Sequence, residues 1–313
     1  MDRKSLWVSR AKRFGLPLLW AVVAGVIYHR ARDIEWDRAW EALHDYSGKT
    51  IATAFALATA AHMVSTCYDL FGRRYVGHSL SRRLTVPICF VGYTFTLNLG
   101  SIVGGVGFRY RLYTRFGLET GQIAQIIALS VLTNWSGYTL MLGVLLLVHP
   151  PGFLPLPPSV LHLLGVALLM VAAGYLTICA LGKPHDLRIQ GVRLKPPPLP
   201  FAVTQLLWSS ANWLLIIAVI HTLMPGEIPY GAVMMALLAS SIAGVIAVVP
   251  GGIGVLEATF LAVLGKQVPP AQLIAALLAY RAAYYLTPFL AALIVYAGLE
   301  LRARGDDSIR GTA

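Results

Sequence analysis

The stretch "AVVPGGIGVLEA" at residues 247–258 places a carboxylate inside a long apolar run. A charge near the centre of a bilayer costs about 2.5–3.5 kcal/mol on insertion scales, so such charges usually pair and usually have a role. Arg281, in the last apolar run, is the expected partner of Glu257. The pair is either a structural lock or a contact that a substrate or a proton breaks. The candidate substrate-binding residues here are Pro250, Gly251, Gly252, Gly254, Glu257 and Arg281.

A near-copy, "SIVGGVGFRYRLYTR", occupies residues 101–115 and carries arginines instead of a glutamate. A helix that begins near Gly107 would direct its amide N–H groups and positive dipole end toward the membrane interior, which suits an anion. Arginine binds phosphate in a bidentate manner, so this segment is a candidate for capturing a phosphate headgroup. The alternative is an ordinary basic cluster that fixes orientation. The candidates are Gly104, Gly105, Gly107, Arg109, Arg111 and Arg115, of which Arg109 lies nearest the glycines.

Polar residues recur at helical spacing in several apolar segments. They could line a hydrated path for a headgroup, but small and polar residues also make packing contacts between membrane helices. For any single stripe of polar residues, packing is the favoured interpretation. Three such stripes occur in the chain, and their recurrence makes packing a less favoured interpretation for the set. Asp69 is notable because an unpaired acid could titrate, although Arg73 one turn away could neutralise it. The candidate cavity-lining residues are His62, Asp69, Asn134, Gln205, Asn212, Tyr284 and Tyr285.

The composition predicts the environment in which these groups act. Of 313 residues, 57% are hydrophobic and 12% are charged, whereas soluble domains carry about a quarter charged residues. The chain is therefore predicted to be a polytopic membrane protein. The net charge is +11, and the basic residues cluster between the apolar segments, as the positive-inside bias predicts. No nucleic-acid partner is therefore expected. No P-loop, HExxH, GxSxG or Cys/His cluster is present, so no cofactor or metal is expected.

Eight apolar segments follow one another along the chain. The first could be a signal peptide, but basic residues rather than a cleavage site follow it, so we interpret it as a retained span. The stretch "RDIEWDRAWEALHDYS" after it is typical of a short helix at the membrane surface. The segments lie near residues 14–29, 50–71, 84–104, 121–148, 159–182, 199–224, 231–265 and 270–299.

The positions of lysine and arginine predict the topology. Placing nearly every basic cluster in the cytoplasm requires residues 84–115 and 231–265 to enter and leave the membrane on one side. We therefore expect an all-α fold of about six full spans plus two re-entrant helical hairpins, with both termini cytoplasmic. Eight simple spans would leave the arginines of residues 109–115 outside.

The two glycine-rich segments indicate an inverted repeat. Three spans separate them, an odd number, so the hairpins would point in opposite directions, as in many transporters. Irregular backbone at that depth is tolerated where protein or a water-filled cavity covers it. The chain is expected to be one integral membrane domain, residues 1–313, with repeats at about 14–148 and 159–300.

Three stretches of the chain resemble a known family. "LNLGSIVGGVGFRYRLYTRFGL", "VVPGGIGVLEATFLAVLG" and "LLAYRAAYYLTPFL" are similar to the lysylphosphatidylglycerol synthase/flippase transmembrane family, whose stand-alone members include YbhN-like bacterial proteins. The resemblance spans roughly residues 14–300. The first glycine-rich copy departs from the second, because residues 101–103 replace the proline element and Tyr110 occupies the glutamate position.

This resemblance implies a bacterial inner-membrane protein that moves an anionic phospholipid or a lipid-linked substrate between leaflets. The two-part members carry a soluble aminoacyl-transferase domain, which is not expected in this chain, so a non-enzymatic, flippase-like role is expected. Two alternatives stay open: an accessory subunit that binds a lipid-synthesis enzyme, and a membrane-embedded lipid-modifying enzyme. Against the enzyme, the sequence offers no nucleophile–base pair and no metal-binding constellation.

Overall fold

A computed structural model of the protein describes residues 36–152, 154, 156–182, 187–189, 192–247 and 249–310. The predicted first span, residues 14–29, and the basic N-terminal cluster lie outside the described residues. The structure therefore does not describe the N-terminus, for which a cytoplasmic placement is expected. The description begins with a short helix, α1, Trp36–His44, within the stretch expected to form a surface helix.

The described chain is almost entirely helical. Helix α2 begins where the Ser47 hydroxyl caps the Thr50 amide, and ends at Gly77, whose φ of 72° is left-handed. A small antiparallel hairpin, β1 (Leu187–Ile189) and β2 (Val192–Leu194), lies in the basic loop, where no strand was predicted. The helices after α1 are α2 (Gly48–Val76), α3 (Arg82–Leu99), α4 (Arg109–Arg115), α5 (Thr120–Val148), α6 (Pro158–Leu181), α7 (Leu199–Leu223), α8 (Tyr230–Ala247), α9 (Val255–Leu264), α10 (Pro270–Tyr280) and α11 (Thr287–Arg310).

Six of the described helical stretches are long and apolar enough to cross a membrane. Four of them match full spans expected from the sequence within a few residues, and α10 and α11 together form a fifth. The sixth, α8, had been assigned to the second re-entrant hairpin. The all-helical membrane fold is thus confirmed, whereas re-entrant placement stays a prediction. The six stretches are Gly48–Val76, Thr120–Val148, Pro158–Leu181, Leu199–Leu223, Tyr230–Ala247 and Pro270–Ala303.

The first glycine-rich segment makes a helical hairpin, residues 82–115. Helix α3 stops at Gly100, whose φ of 85° few other residues adopt. Residues Ser101–Phe108 then form a π-helical segment that packs back against α3. The approach is very close, because a Cβ on Gly104 would lie 2.0 Å from the carbonyl oxygen of Phe95. Glycine is therefore needed here for packing.

The second glycine-rich segment also makes a helical hairpin, residues 230–264. Helix α8 is followed by a single 3-10 turn, Pro250–Gly252, and α9 then packs back against α8. Gly251, Gly252 and Gly254 all have positive φ, at 67°, 56° and 78°. Glycine here provides left-handed backbone for the reversal.

The tips of the two hairpins meet. A Cβ on Gly251 would lie 3.5 Å from the carbonyl oxygen of Leu97 and 3.7 Å from that of Asn98. Two breaks in helices therefore share one region of the molecule. This arrangement is compatible with the inverted repeat, which stays a prediction.

The apolar interior has two parts. A large cluster joins α2, α5, α7, α8, α9 and α10. A smaller cluster joins α3, α4, α5 and α11, with Phe95 at its centre in contact with the rings of Phe108, Phe289 and Tyr296. The first hairpin thus belongs mainly to the smaller cluster and the second to the larger one.

Candidate functional site

The tip of the second hairpin positions Glu257. Gly254 precedes the first turn of α9, and Glu257 lies three residues later. Its Oε2 accepts a hydrogen bond of 2.8 Å from the Gly254 amide. The carboxylate thereby satisfies an amide at the helix N-terminus, where negative charge is also favoured by the helix dipole.

Arg281 joins this carboxylate to the tip backbone. Its Nε donates to Glu257 Oε1 at 2.5 Å and its Nη2 donates to Oε2 at 3.1 Å. Nη1 donates to the Gly251 carbonyl at 2.9 Å, and Nη2 also donates to the Gly252 carbonyl at 3.0 Å. The expected Glu257–Arg281 pair therefore forms, and the arginine in addition satisfies two carbonyls that the broken helix leaves free.

We call the Glu257–Arg281 pair half-open, because both side chains are mostly buried but keep some contact with the surroundings. The Arg281 and Glu257 side chains retain 19% and 20% of their exposure, and the neighbouring Ile253 is 61% exposed. Arg281 begins a π-helical turn, Arg281–Leu286, and lies 5.4 Å from the ring centroid of Tyr285. Such wide turns often occur at functional sites. An anion could thus reach the guanidinium without unfolding the hairpin.

The first hairpin turns its charge inward instead. Arg109 is 4% exposed, and its Nε lies 3.7 Å from Oδ2 of the fully buried Asp69. The Tyr113 hydroxyl donates to the same oxygen at 2.7 Å. Arg109 Nη1 donates to the Ser130 hydroxyl at 3.3 Å. This placement argues against the expectation that Arg109 captures a headgroup at an open mouth.

The partner of Asp69 also differs from the one considered in the sequence. Arg73 donates its Nε–H to the Leu80 carbonyl at 2.6 Å, and Arg109 takes the place beside Asp69. Sequence reasoning missed this pair because 40 positions separate the two residues. The signal was present, since a buried acid in a membrane helix needs a partner.

The other arginines of the first hairpin meet a carboxylate that sequence reasoning also missed. Arg111 Nε donates to Glu300 Oε1 at 2.7 Å, and Arg115 Nη2 lies 3.9 Å from Glu300 Oε2. The two arginine side chains are 53% and 36% exposed, whereas that of Glu300 is 11% exposed. This cluster ties α4 to α11 near the surface.

The glycines of the first hairpin lie within the π-helical segment and before the start of α4. Gly104 and Gly105 pack on α3, where a Cβ on Gly105 would lie 2.7 Å from Oγ1 of Thr96. Gly107 lies inside the π-helical segment rather than at a helix start. The expectation of a helix that begins near Gly107 is corrected, because the helical turns begin at Ser101 and run through Gly107 into α4.

The polar stripes divide into two kinds. Gln205 donates to Thr133 Oγ1 at 2.5 Å and accepts from Tyr175 at 2.8 Å, while the Asn134 carbonyl accepts from Trp213 at 3.1 Å. These contacts join α5, α6 and α7, as the packing alternative predicts.

The second kind of polar stripe lies between α2, α3, α7 and the π-helical turn Arg281–Leu286. His62 Nε2 lies 3.0 Å from the Tyr284 carbonyl, and the hydroxyls of Tyr93 and Tyr284 are 2.9 Å apart. Asn98 Nδ2 donates to the Tyr285 carbonyl at 3.3 Å. Asn212 is fully buried, and its side-chain amide has no hydrogen bond to any residue in the described part of the chain. Polar side chains are therefore found both near the hairpin tips, at Asn98, and in the interior, at His62 and Asn212.

No group of three potential metal ligands occurs among the residues whose positions the structure gives. The second hairpin brings together a bidentate cation, Arg281, a carboxylate that binds it, Glu257, and two carbonyls that the same cation holds. Of these groups, the guanidinium is the one that can bind an anion.

Six apolar helical stretches, two helical hairpins with touching tips and a half-open ion pair define a polytopic α-helical membrane protein. The family model for the lysylphosphatidylglycerol synthase TM region matches residues 16–292. The chain belongs to this family.

Two relatives are similar in sequence to this chain over most of their length. The chain is 42% identical to Inner membrane protein YbhN of Escherichia coli (strain K12) over 287 residues, which cover 90% of each chain. It is 30% identical to Uncharacterized protein slr0712 of Synechocystis sp. over 292 residues, 90% of this chain and 89% of the relative. The Escherichia coli relative is thus an inner membrane protein by name.

Proposed function

We propose that this protein moves an anionic phospholipid or a lipid-linked anion between the leaflets of the bacterial inner membrane. The observation that carries the proposal is the half-open Glu257–Arg281 pair at the point where the two hairpin tips meet. Membership of a family described as the transmembrane region of a lipid synthase supports a lipid as the substrate. In this proposal the two hairpins are re-entrant, the repeat is inverted and both termini are cytoplasmic.

Arg281 is the cation that receives the headgroup. Guanidinium binds a carboxylate and a phosphate through the same two-pronged geometry, so a phosphodiester can replace Glu257 on the Nε and Nη2 edge. Displaced from Arg281, the carboxylate still has the Gly254 amide to bind. Glu257 then competes for Arg281 and releases the headgroup on the other side.

The tip backbone couples this exchange to movement. Arg281 also holds the carbonyls of Gly251 and Gly252, in a segment whose glycines have positive φ. A headgroup that shifts the guanidinium therefore loosens the contact that fixes the tip. Tip movement then opens one side of the membrane and closes the other.

Translocation in proteoliposomes tests the class of function. The panel contains labelled phosphatidylglycerol, an aminoacylated phosphatidylglycerol and a polyprenyl phosphate, with protein-free vesicles as the control. We expect movement of at least one of these lipids above the protein-free rate. If folded protein moves none of them, the transport proposal fails, and the accessory-subunit alternative is then tested by identifying the lipid enzymes that co-purify.

A further inference from the structure

A second polar–apolar site lies away from the hairpin tips. A cavity of about 550 Å³ opens between α2, the beginning of α3 and α7. We call it the arginine groove. Its lining residues are Cys67, Leu70, Phe71, Arg73, Arg74, Arg82, Thr204 and Trp208.

The inner wall of the arginine groove is apolar and fixed in place. The ring of Phe71 packs edge-on against Phe201 at 5.5 Å and against Trp208 at 6.5 Å between centroids. The indole N–H of Trp208 donates to the Val64 carbonyl at 3.0 Å. Because its polar group is satisfied, Trp208 presents hydrocarbon to the groove, as does Leu70. Such a wall suits an acyl chain.

The rim of the groove carries positive charge, and no acid among the described residues forms an ion pair with Arg74 or Arg82. Arg74 and Arg82 are exposed, and neither has a hydrogen bond or ion pair from its side chain to any residue of the described chain. Arg73 is anchored through Nε to the Leu80 carbonyl, which leaves its terminal nitrogens for a ligand. The nearby carboxylate of Asp69 is already held by Arg109 and Tyr113.

The beginning of α3 adds a second feature for an anion. Ser81 makes no side-chain capping bond, and the amides of Arg82 and Arg83 have no acceptor in the described part of the chain. The free amides and the positive dipole end of this 18-residue helix therefore lie at Arg82, which is itself a residue of the rim.

We propose that the arginine groove binds an anionic glycerophospholipid, with its phosphate on Arg73, Arg74 and Arg82 and an acyl chain along Phe71 and Trp208. Basic pockets between membrane helices select anionic headgroups in this way. A free phosphate would use the rim and leave the apolar wall bare, so the lipid is the occupant that satisfies both parts. The proposal concerns binding and does not depend on translocation through the hairpins.

Native mass spectrometry of the purified full-length chain tests the proposal. It is titrated with phosphatidylglycerol and with phosphatidylcholine of the same acyl chains. We expect phosphatidylglycerol to bind more tightly, and the Arg74→Gln/Arg82→Gln double variant to weaken its binding roughly thirtyfold, at about 1 kcal/mol per arginine. A photoactivatable phosphatidylglycerol should crosslink within residues 67–74 or 204–208.

A control double variant, Lys49→Gln/Arg302→Gln, removes the same charge from exposed residues outside the groove. It should keep the affinity of the unaltered protein. Equal losses in the two double variants would overturn the proposal, because binding would then follow net charge alone. Equal affinity for the two lipids, or full competition by inorganic phosphate, would overturn it as well.

Discussion

The two hairpins have related sequences, yet they use charge in opposite ways. In residues 82–115 the central arginine is sealed against Asp69, with exposures of 4% and 0%. In residues 230–264 the glutamate meets Arg281 at the tip, where about a fifth of each side chain stays exposed. The glycines differ too, since Gly104 allows a close approach of backbone whereas Gly251 has a positive φ.

The two copies of the glycine pattern thus have similar backbone reversals but differ in the charged side chains that they position. Both copies reverse the chain by breaking a helix. A sealed charge pair can lock one hairpin against its neighbours, because a buried ion that loses its partner is strongly destabilising. A half-open pair can exchange its partner. In the proposed function, the first hairpin has a structural role and the second is the part that moves.

The largest effect is expected when the sealed pair is broken. Asp69→Leu leaves the Arg109 guanidinium buried without a carboxylate, which should lower the free energy of unfolding by about 3–5 kcal/mol. Thermal or denaturant unfolding in detergent measures the change. Asp69→Leu combined with Arg109→Met should recover a large part of the loss. Unchanged stability of the single variant would contradict a structural role for this pair.

A smaller loss of stability is expected from filling the first hairpin. Gly104→Ala would place a Cβ 2.0 Å from the Phe95 carbonyl oxygen, in backbone that has little room to shift. The cost should be about 1–3 kcal/mol. The matched control is Gly107→Ala, whose nearest neighbour, the Ile102 carbonyl oxygen, lies 3.6 Å away. If both variants had the same stability, close packing would not be the reason for glycine at position 104.

The smallest effect is expected at the surface cluster. Arg111→Gln removes a contact to Glu300 from a side chain that is 53% exposed, and Arg115 remains 3.9 Å from that carboxylate. Solvent screens exposed ion pairs so that they add little to stability, and the free energy of unfolding should therefore change by no more than the error of the measurement. A much larger loss, measured by the same unfolding assay, would show that this cluster and not the Asp69–Arg109 pair holds the first hairpin in place.

Sequence reasoning reached the helices, the two helix breaks and the Glu257–Arg281 pair. These features follow from local signals in the sequence. The signals are the length of the apolar runs, the positions of glycine and proline, and two opposite charges within apolar runs, which usually pair. The sequence does not predict the pairs Arg109–Asp69 and Arg111–Glu300. The orientation of each arginine side chain depends on packing between helices that are distant in sequence. The π-helical segment, Ser101–Phe108, is not predicted from the sequence either, and Arg109 follows it directly.

The central claim is that the half-open pair of the second hairpin carries substrate, and the translocation rate of Glu257→Gln tests it most directly. Glutamine can still accept from the Gly254 amide through its one oxygen, and Arg281 keeps the Gly251 and Gly252 carbonyls, so the variant should fold, with a lower unfolding temperature than the unaltered protein. Without the competing charge, Arg281 should retain an anionic headgroup, and lipid movement in proteoliposomes should stop. Arg111→Gln, reconstituted in parallel, should move lipid at the rate of the unaltered protein. Movement by Glu257→Gln at that same rate would contradict the account.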